Sequence, residues 1–363
     1  MSSRPLRIAL LAYRGNMRSG GQGIYLWFLA RELAALGHEV HVFAGPPWPD
    51  PMPFARSVVR VPNEGFWAKR FEKDPAALLP KPNPLTIFEP LNFWEYGATW
   101  FGFLPEPFAF SVRAAQRLLA LLREGERFDL VHDVQSLGWA TLLLRAVGLP
   151  VVTTIHHPLS VDRRASFARD RSFREALGTM ELYPVGMQAF VARRLDRVLT
   201  SSRESMGEIV RDFRVRPDRL RMVWNGLDTE LFRPLPQVER SPTEILCVAR
   251  ASDPNKGVPV LLEALAKLPD TVKLTLVDEG SATNPARAAA RALGIESRLA
   301  ITGRVETEAL VRLYARAALV VVPSLYEGFG LPAAEAMACA TPVVAAASGA
   351  LPEVLGVGGG GVL

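Results

Sequence analysis

Only two cysteines occur in the 363 residues, Cys247 and Cys339, and each lies inside an apolar stretch. A disulfide-stapled scaffold is thereby excluded, and both read as reduced core thiols. No apolar run approaches the roughly 20 residues that span a bilayer. The opening MSSRPLRIALLAYRG has a short apolar run between arginines and no signal-peptide cleavage pattern, so a cytoplasmic protein is expected. There is no H-E-x-x-H, no cysteine cluster and no D-x-D, and the five histidines show no metal spacing. These absences argue against zinc and against a carboxylate-held divalent ion, so no metal is expected. With 49% hydrophobic and 22% charged residues, disorder as the dominant state and collagen-like repeats are excluded as well.

Lysine is missing between residues 160 and 221, where 14 Arg stand against 9 Asp and Glu. The chain's whole net charge of +5 therefore resides in that stretch. Arginine without lysine suits bidentate recognition of phosphate or carboxylate. Solvated helix faces with internal ion pairs explain it equally well. Residues 46–110 hold 14 of the 31 aromatic residues and 13 of the 29 prolines. They read as irregular structure leaving a rigid scaffold, serving as a substrate-binding wall, a membrane contact or a wrap around their own domain.

Elsewhere short apolar runs alternate with helical stretches, the pattern of a parallel α/β sheet. Strands are expected at Arg7–Tyr13, Glu39–Ala44, Leu130–Val134, Val151–His156, Arg197–Ser201 and Arg221–Trp224, with helices at Ile24–Leu36 and Ser136–Val147. After the polar link FRPLPQVERSPTE the alternation restarts, with strands at Ile245–Ala249, Val272–Val277, Leu299–Thr302, Leu319–Pro323 and Val343–Ala347. Two doubly wound units are expected, spanning 1–235 and 236–363, with ligands at strand carboxyl ends in a cleft between them.

Four clusters carry candidate chemistry. Ser19-Gly20-Gly21-Gln22-Gly23 follows the first strand and opens a helix, as a phosphate loop or a plain tight turn. It is a poor dinucleotide fingerprint, because Leu26 stands where a glycine is needed and the second strand ends without an acid. Arg250 and Lys256 lie on the loop after the first strand of the second unit, where two cations can straddle a diphosphate. PSLYEGFGLPAAEAMA runs from a strand through two glycines into a helix, with Glu327 in the loop and Glu335 in the first helical turn. Those carboxylates would be about 12 Å apart even on one helix, too far for a glycosidase pair at about 5–9.5 Å. His156 ends a strand of the first unit, as a structural residue or a partner for a sugar hydroxyl.

In their order these motifs are recognisable: SGGQGIY, VVTTIHH, VLTSS, VWNGLDTELFRP, VAR-x5-KG, PSLYEGFGLPAAEAMA, TPVVA and GALPEV. The chain resembles glycosyltransferase family 4, retaining nucleotide-sugar enzymes of the GT-B fold, from Arg7 to its last residue. The resemblance implies that Arg250 and Lys256 bind the donor diphosphate with the backbone of Gly20 and Gly21. It places Glu335 on the ribose and Glu327 on hydroxyls of the transferred sugar. The amides of Phe329, Gly330 and Leu331 would orient that sugar and its phosphate, His156 would bond the sugar near the anomeric centre, and Arg304 would grip the base. No cofactor is implied beyond the nucleoside-diphosphate sugar, which is the donor substrate. The aromatic and Arg-rich stretches suggest a lipid-linked or phosphorylated acceptor at the inner face of a membrane, and no nucleic acid.

Three departures stand out. Asp278 replaces a usual glycine and is expected to crowd that edge of the donor pocket, Ala340 replaces another, and LGVGGGGVL stops where the family begins its last strand. The resemblance thus implies a second domain cut short. Alternatives are a GT-B nucleotide-sugar epimerase, a phosphorylase without an identifiable pyridoxal lysine, and a non-catalytic nucleotide-sugar-binding or partner subunit.

Overall fold

The computed structural model describes residues 4–17, 21–70, 78–170, 172–182 and 184–363. The chain forms two compact units: Met1–Ser201 with Met206–Val223, and Ser202–Ser205 with Trp224–Leu363. They part short of the expected junction near 235, because Leu227, Leu231, Phe232 and Leu235 pack against the second unit's core.

Seven strands of the first unit, among the described residues, form one parallel sheet. They are β1 Arg7–Ala12, β2 Glu39–Ala44, β3 Ser57–Arg60, β4 Leu130–Val134, β5 Val151–Thr154, β6 Arg197–Thr200 and β7 Leu220–Met222, in the order β3-β2-β1-β4-β5-β6-β7. Successive residues of β1 bury on opposite faces. Ala9 and Leu11 join Phe43 in one cluster, while Ile8 and Leu10 join Val40 and Val42 in another. Burial on both faces is what continuous apolar runs require of a parallel sheet.

The second unit repeats the plan with β8 Glu244–Val248, β9 Lys273–Val277, β10 Leu299–Ile301, β11 Leu319–Val322, β12 Val343–Ala345 and β13 Gly361–Val362. Their order is β10-β9-β8-β11-β12-β13, all parallel. Cys247 and Cys339 are buried free thiols, one in each of this unit's two core clusters. In each sheet the strand order reverses beside the first strand, between β1 and β4 and between β8 and β11. Loops leaving the carboxyl ends at such a point diverge and open a crevice.

Two expectations fail locally. Residues 46–110 are not irregular throughout. They contain β3, the helix Pro90–Trp100 and the start of the helix Glu106–Arg123. Pro90 and Pro107 sit in first helical turns, where the missing N–H costs nothing, so they start helices rather than break them. The helix expected over Ser136–Val147 covers only Thr141–Ala146. Before it, Gln135 and Leu137 take φ of 57° and 50°. The buried Asp133 carboxylate holds that turn, accepting from the amides of Ser136 (3.3 Å) and Leu137 (2.9 Å). No helix of the described residues is long and apolar enough to cross a membrane.

Candidate active site

The two motifs singled out in the second unit leave adjacent strands, β8 and β11, at the reversal of strand order. After β8 the Asp253 carboxylate accepts from the Asn255 amide (2.9 Å) and starts a single turn, Pro254–Lys256. Gly257 ends it at φ 63°, and a Cβ there would lie 2.0 Å from the Pro323 carbonyl oxygen. Only glycine permits that approach. After β11 the loop is held from two sides. The Leu325 amide donates to Asn255 O (2.8 Å), the Ser348 hydroxyl to Ser324 O (2.5 Å) and the Ala350 amide to Glu327 O (2.9 Å).

These constraints bring Lys256 and Glu327 together. Lys256 Nζ donates to Glu327 Oε1 at 2.7 Å, and the Ser324 hydroxyl donates to the same oxygen at 2.8 Å. The ammonium carries three donors, so this contact leaves capacity for a ligand oxygen. Arg250 is exposed, and its guanidinium has no partner among the described residues. Gly330, at φ 95°, precedes the helix Leu331–Ala338, whose N-terminus no side chain caps. That end is a local positive pole. Phe329 packs partly on the core instead of standing free.

Glu335, on that helix, is buried, and its Oε2 accepts from the Tyr314 hydroxyl at 2.7 Å. Burial pushes the Glu335 carboxyl up to about 7, with the Tyr314 bond pulling the other way. Among the described residues no hydrogen bond joins Glu335 to Glu327; each acid has its own partners. Arg304, after β10, is exposed and pairs with Glu279 at 3.2 Å. Asp278, expected to crowd this edge, is engaged in hydrogen bonds within the unit. Its Oδ2 accepts from the Ala251 amide and from Asn284 Nδ2, both at 2.8 Å, and so pins the backbone next to Arg250.

In the first unit His156 follows β5. Its amide donates to Gln135 Oε1 (2.8 Å), and its ring meets that of Tyr25 edge-on at 4.7 Å. Burial, with smaller effects of His157 and His132, pushes the His156 imidazole down to about 3, so it is neutral near pH 7. Gly20 lies outside the described residues, and Gly21 begins the helix Gly21–Ala35, where a Cβ would meet nothing within 4 Å among the described residues. Gly23 is the demanding position, since a Cβ there would lie 1.7 Å from Asn16 O. The Arg-rich stretch is largely occupied internally. Arg164 and Arg211 pair with Glu208 and Asp212, Arg216 with Asp218, and Arg219 donates to the carbonyls of Arg193 and Leu195.

Sequence reasoning missed Tyr314, Ser324, Ser348 and the bracing role of Asp278. Ser348, Gly349 and Ala350 belong to or adjoin the GALPEV motif, and that juxtaposition was the available signal. Among the described residues no group of three or more His, Cys, Asp or Glu is placed to hold a metal ion.

Residues 19–231 match the family model described as Glycosyltransferase Family 4, and residues 230–363 that described as Glycosyl transferases group 1. The MMP α-(1→4)-mannosyltransferase of Mycolicibacterium hassiacum is 41% identical over 356 residues, covering 98% of this chain and 84% of that protein. The D-inositol 3-phosphate glycosyltransferase of Xylanimonas cellulosilytica is 30% identical, covering 97% and 83%. Among solved structures, sucrose-phosphate synthase from Thermosynechococcus elongatus superposes with a TM-score of 0.67 at 24% identity, covering 95% and 82%. Anabaena HepE in complex with UDP-glucose gives 0.66 at 19%, covering 96% and 82%. The paired parallel sheets are those of the GT-B fold, and the chain belongs to glycosyltransferase family 4.

Proposed function

We propose that this glycosyltransferase moves a hexosyl group, mannosyl by analogy with its 41% identical relative, from a nucleoside-diphosphate sugar to an acceptor hydroxyl with retention at the anomeric carbon. One observation carries the assignment of the donor side. Lys256 touches Glu327 at the strand-order reversal of the second unit, on the same loop as the exposed Arg250, whose guanidinium has no partner among the described residues, and the helix after Gly330 has no side-chain cap. Arg250, Lys256 and the amides at Gly330 and Leu331 meet the diphosphate as negative charge develops on it. Glu327, oriented by Ser324, accepts from sugar hydroxyls, and Glu335 accepts from the ribose. Glu327 already holds a cation and a hydroxyl, which suits it poorly to act as a carbon nucleophile. Attack therefore comes from the face of the departing phosphate, whose oxygen takes the acceptor proton. His156, a neutral imidazole at physiological pH, serves as a hydrogen-bond partner of the sugar rather than as a general acid.

With two cations and a helix terminus facing the leaving group, the reaction needs no metal. The acceptor belongs with the first unit, whose exposed Phe88, Phe93, Trp100 and Phe101 suit a lipid-linked or otherwise apolar molecule at the inner membrane face. One experiment tests these readings. Nucleotide sugars are screened for thermal stabilisation, then for transfer to glycan and lipid-linked acceptors, with and without chelator. Product with a retained anomer in chelator is expected, and Lys256→Ala and Glu327→Ala are each expected to lower turnover at least about a hundredfold in folded protein. Near-normal turnover in both variants would sink the assignment.

A further inference from the structure

Tyr314 is among the largest fully buried side chains of the molecule, yet its hydroxyl is spent on an acid. A buried phenol needs a partner, and a backbone carbonyl would serve at no electrostatic cost. A carboxylate in that place is expensive, because burial opposes its charge. We propose that Tyr314 is a positioning residue of the donor site, holding Oε2 of Glu335 so that Oε1 is presented to the nucleotide sugar. This rests on the reading of Glu335 as a donor contact.

The phenol is well placed for that task. Its helix, Thr307–Arg316, is anchored at this point by the Thr341 hydroxyl, which donates to Tyr314 O at 2.7 Å. Its ring packs edge-on against Phe232 with centroids 6.4 Å apart. A side chain with two torsions, both packed, cannot follow the carboxylate if it turns, so the hydroxyl sets the carboxylate's orientation. Glu335 makes no other side-chain hydrogen bond among the described residues, which leaves Oε1 for a ligand. The titratable groups around the pair do not compete. Burial pushes the thiol of Cys339, one helical turn beyond Glu335, up to about 11, and that of Cys247, which acts on Tyr314, up to about 12. Both stay neutral, and no cation acts on Glu335. The Tyr314 hydroxyl is therefore what favours the anion before a ligand arrives.

The test uses the full chain, Tyr314→Phe and Glu335→Gln, with UDP, GDP and ADP as probes titrated calorimetrically from about pH 5.5 to about pH 9. For the wild type, affinity rises with pH and levels above about 7, where Glu335 ionises. In Tyr314→Phe the anion loses its hydrogen bond, so the rise moves up by about one pH unit, a deficit of about fivefold near pH 7 that approaches about tenfold at lower pH and closes at high pH. Glu335→Gln abolishes the rise. An unmoved midpoint in Tyr314→Phe, or a deficit equal at every pH, overturns the proposal. The carboxyl infrared band of the ligand-free protein separates the two readings. If no nucleotide binds the wild type, the donor reading fails, while a band titrating identically in wild type and Tyr314→Phe overturns the role of Tyr314 itself.

Discussion

Glu335 and Glu327 stand eight positions apart in one motif and meet opposite surroundings. Glu327 is partly exposed and reached by an ammonium and a hydroxyl, whereas Glu335 is enclosed with a phenol. Enclosure has a measurable effect on stability. Burial pushes the folded carboxyl up to about 7 from the 4.5 of an unperturbed glutamate. The native state therefore holds its proton more tightly than the unfolded chain, and stability falls as pH climbs between those values. The loss is on the order of 3 kcal/mol, complete above about pH 7. Urea denaturation at stepped pH should show this decline in the wild type and its removal in Glu335→Gln; parallel profiles would contradict the burial argument. Spacing in the sequence placed the two acids apart, but it carried no trace of Tyr314, which lies in another helix and is joined only by tertiary packing.

At the scale of elements, strands were legible because burial on both faces imposes continuous apolar runs, as in Ile8–Ala12 and Leu319–Val322. What escaped was set by hydrogen bonds and sterics. The turn after β4 reads as helix from Ser136 onward, yet Asp133 claims its amides and forces Leu137 into the left-handed region. Prolines 90 and 107 disguised helices as loops. The turn after β8 shows the same kind of constraint at the site. Gly257→Ala would combine left-handed backbone with a Cβ 2.0 Å from Pro323 O, and should cost at least about 2 kcal/mol. It should weaken nucleotide binding as well, because Lys256 precedes it. Chemical denaturation with binding measured on the same preparation checks both; a loss of stability alone would detach this turn from the ligand.

Over the whole molecule, one strand order is used twice, and the assigned donor contacts other than His156 and the Gly20–Gly21 loop fall in the second unit. Saturation with a nucleoside diphosphate should therefore slow hydrogen exchange in the loops after β8 and β11. At a hundredfold excess over Kd it should stabilise that unit by about 2.7 kcal/mol. Protection confined to the first unit would reverse the assignment. The double architecture was legible from the restart of alternation after residue 240. The parting of the units at Val223 was not, because the apolar Leu227, Leu231 and Phe232 give no hint of which core receives them.

The loop that carries Glu327 keeps its shape through Asn255 on one flank and Ser348 and Ala350 on the other. Its motif residues are thus not a portable cassette. A chimaera that exchanged only the stretch from Ser324 to Glu335 would inherit the acids without the scaffolding that aims them. Recombination between relatives should tolerate crossovers outside Asp253–Ala350 and fail within it, so that distant motifs in this half of the chain descend as one linked unit.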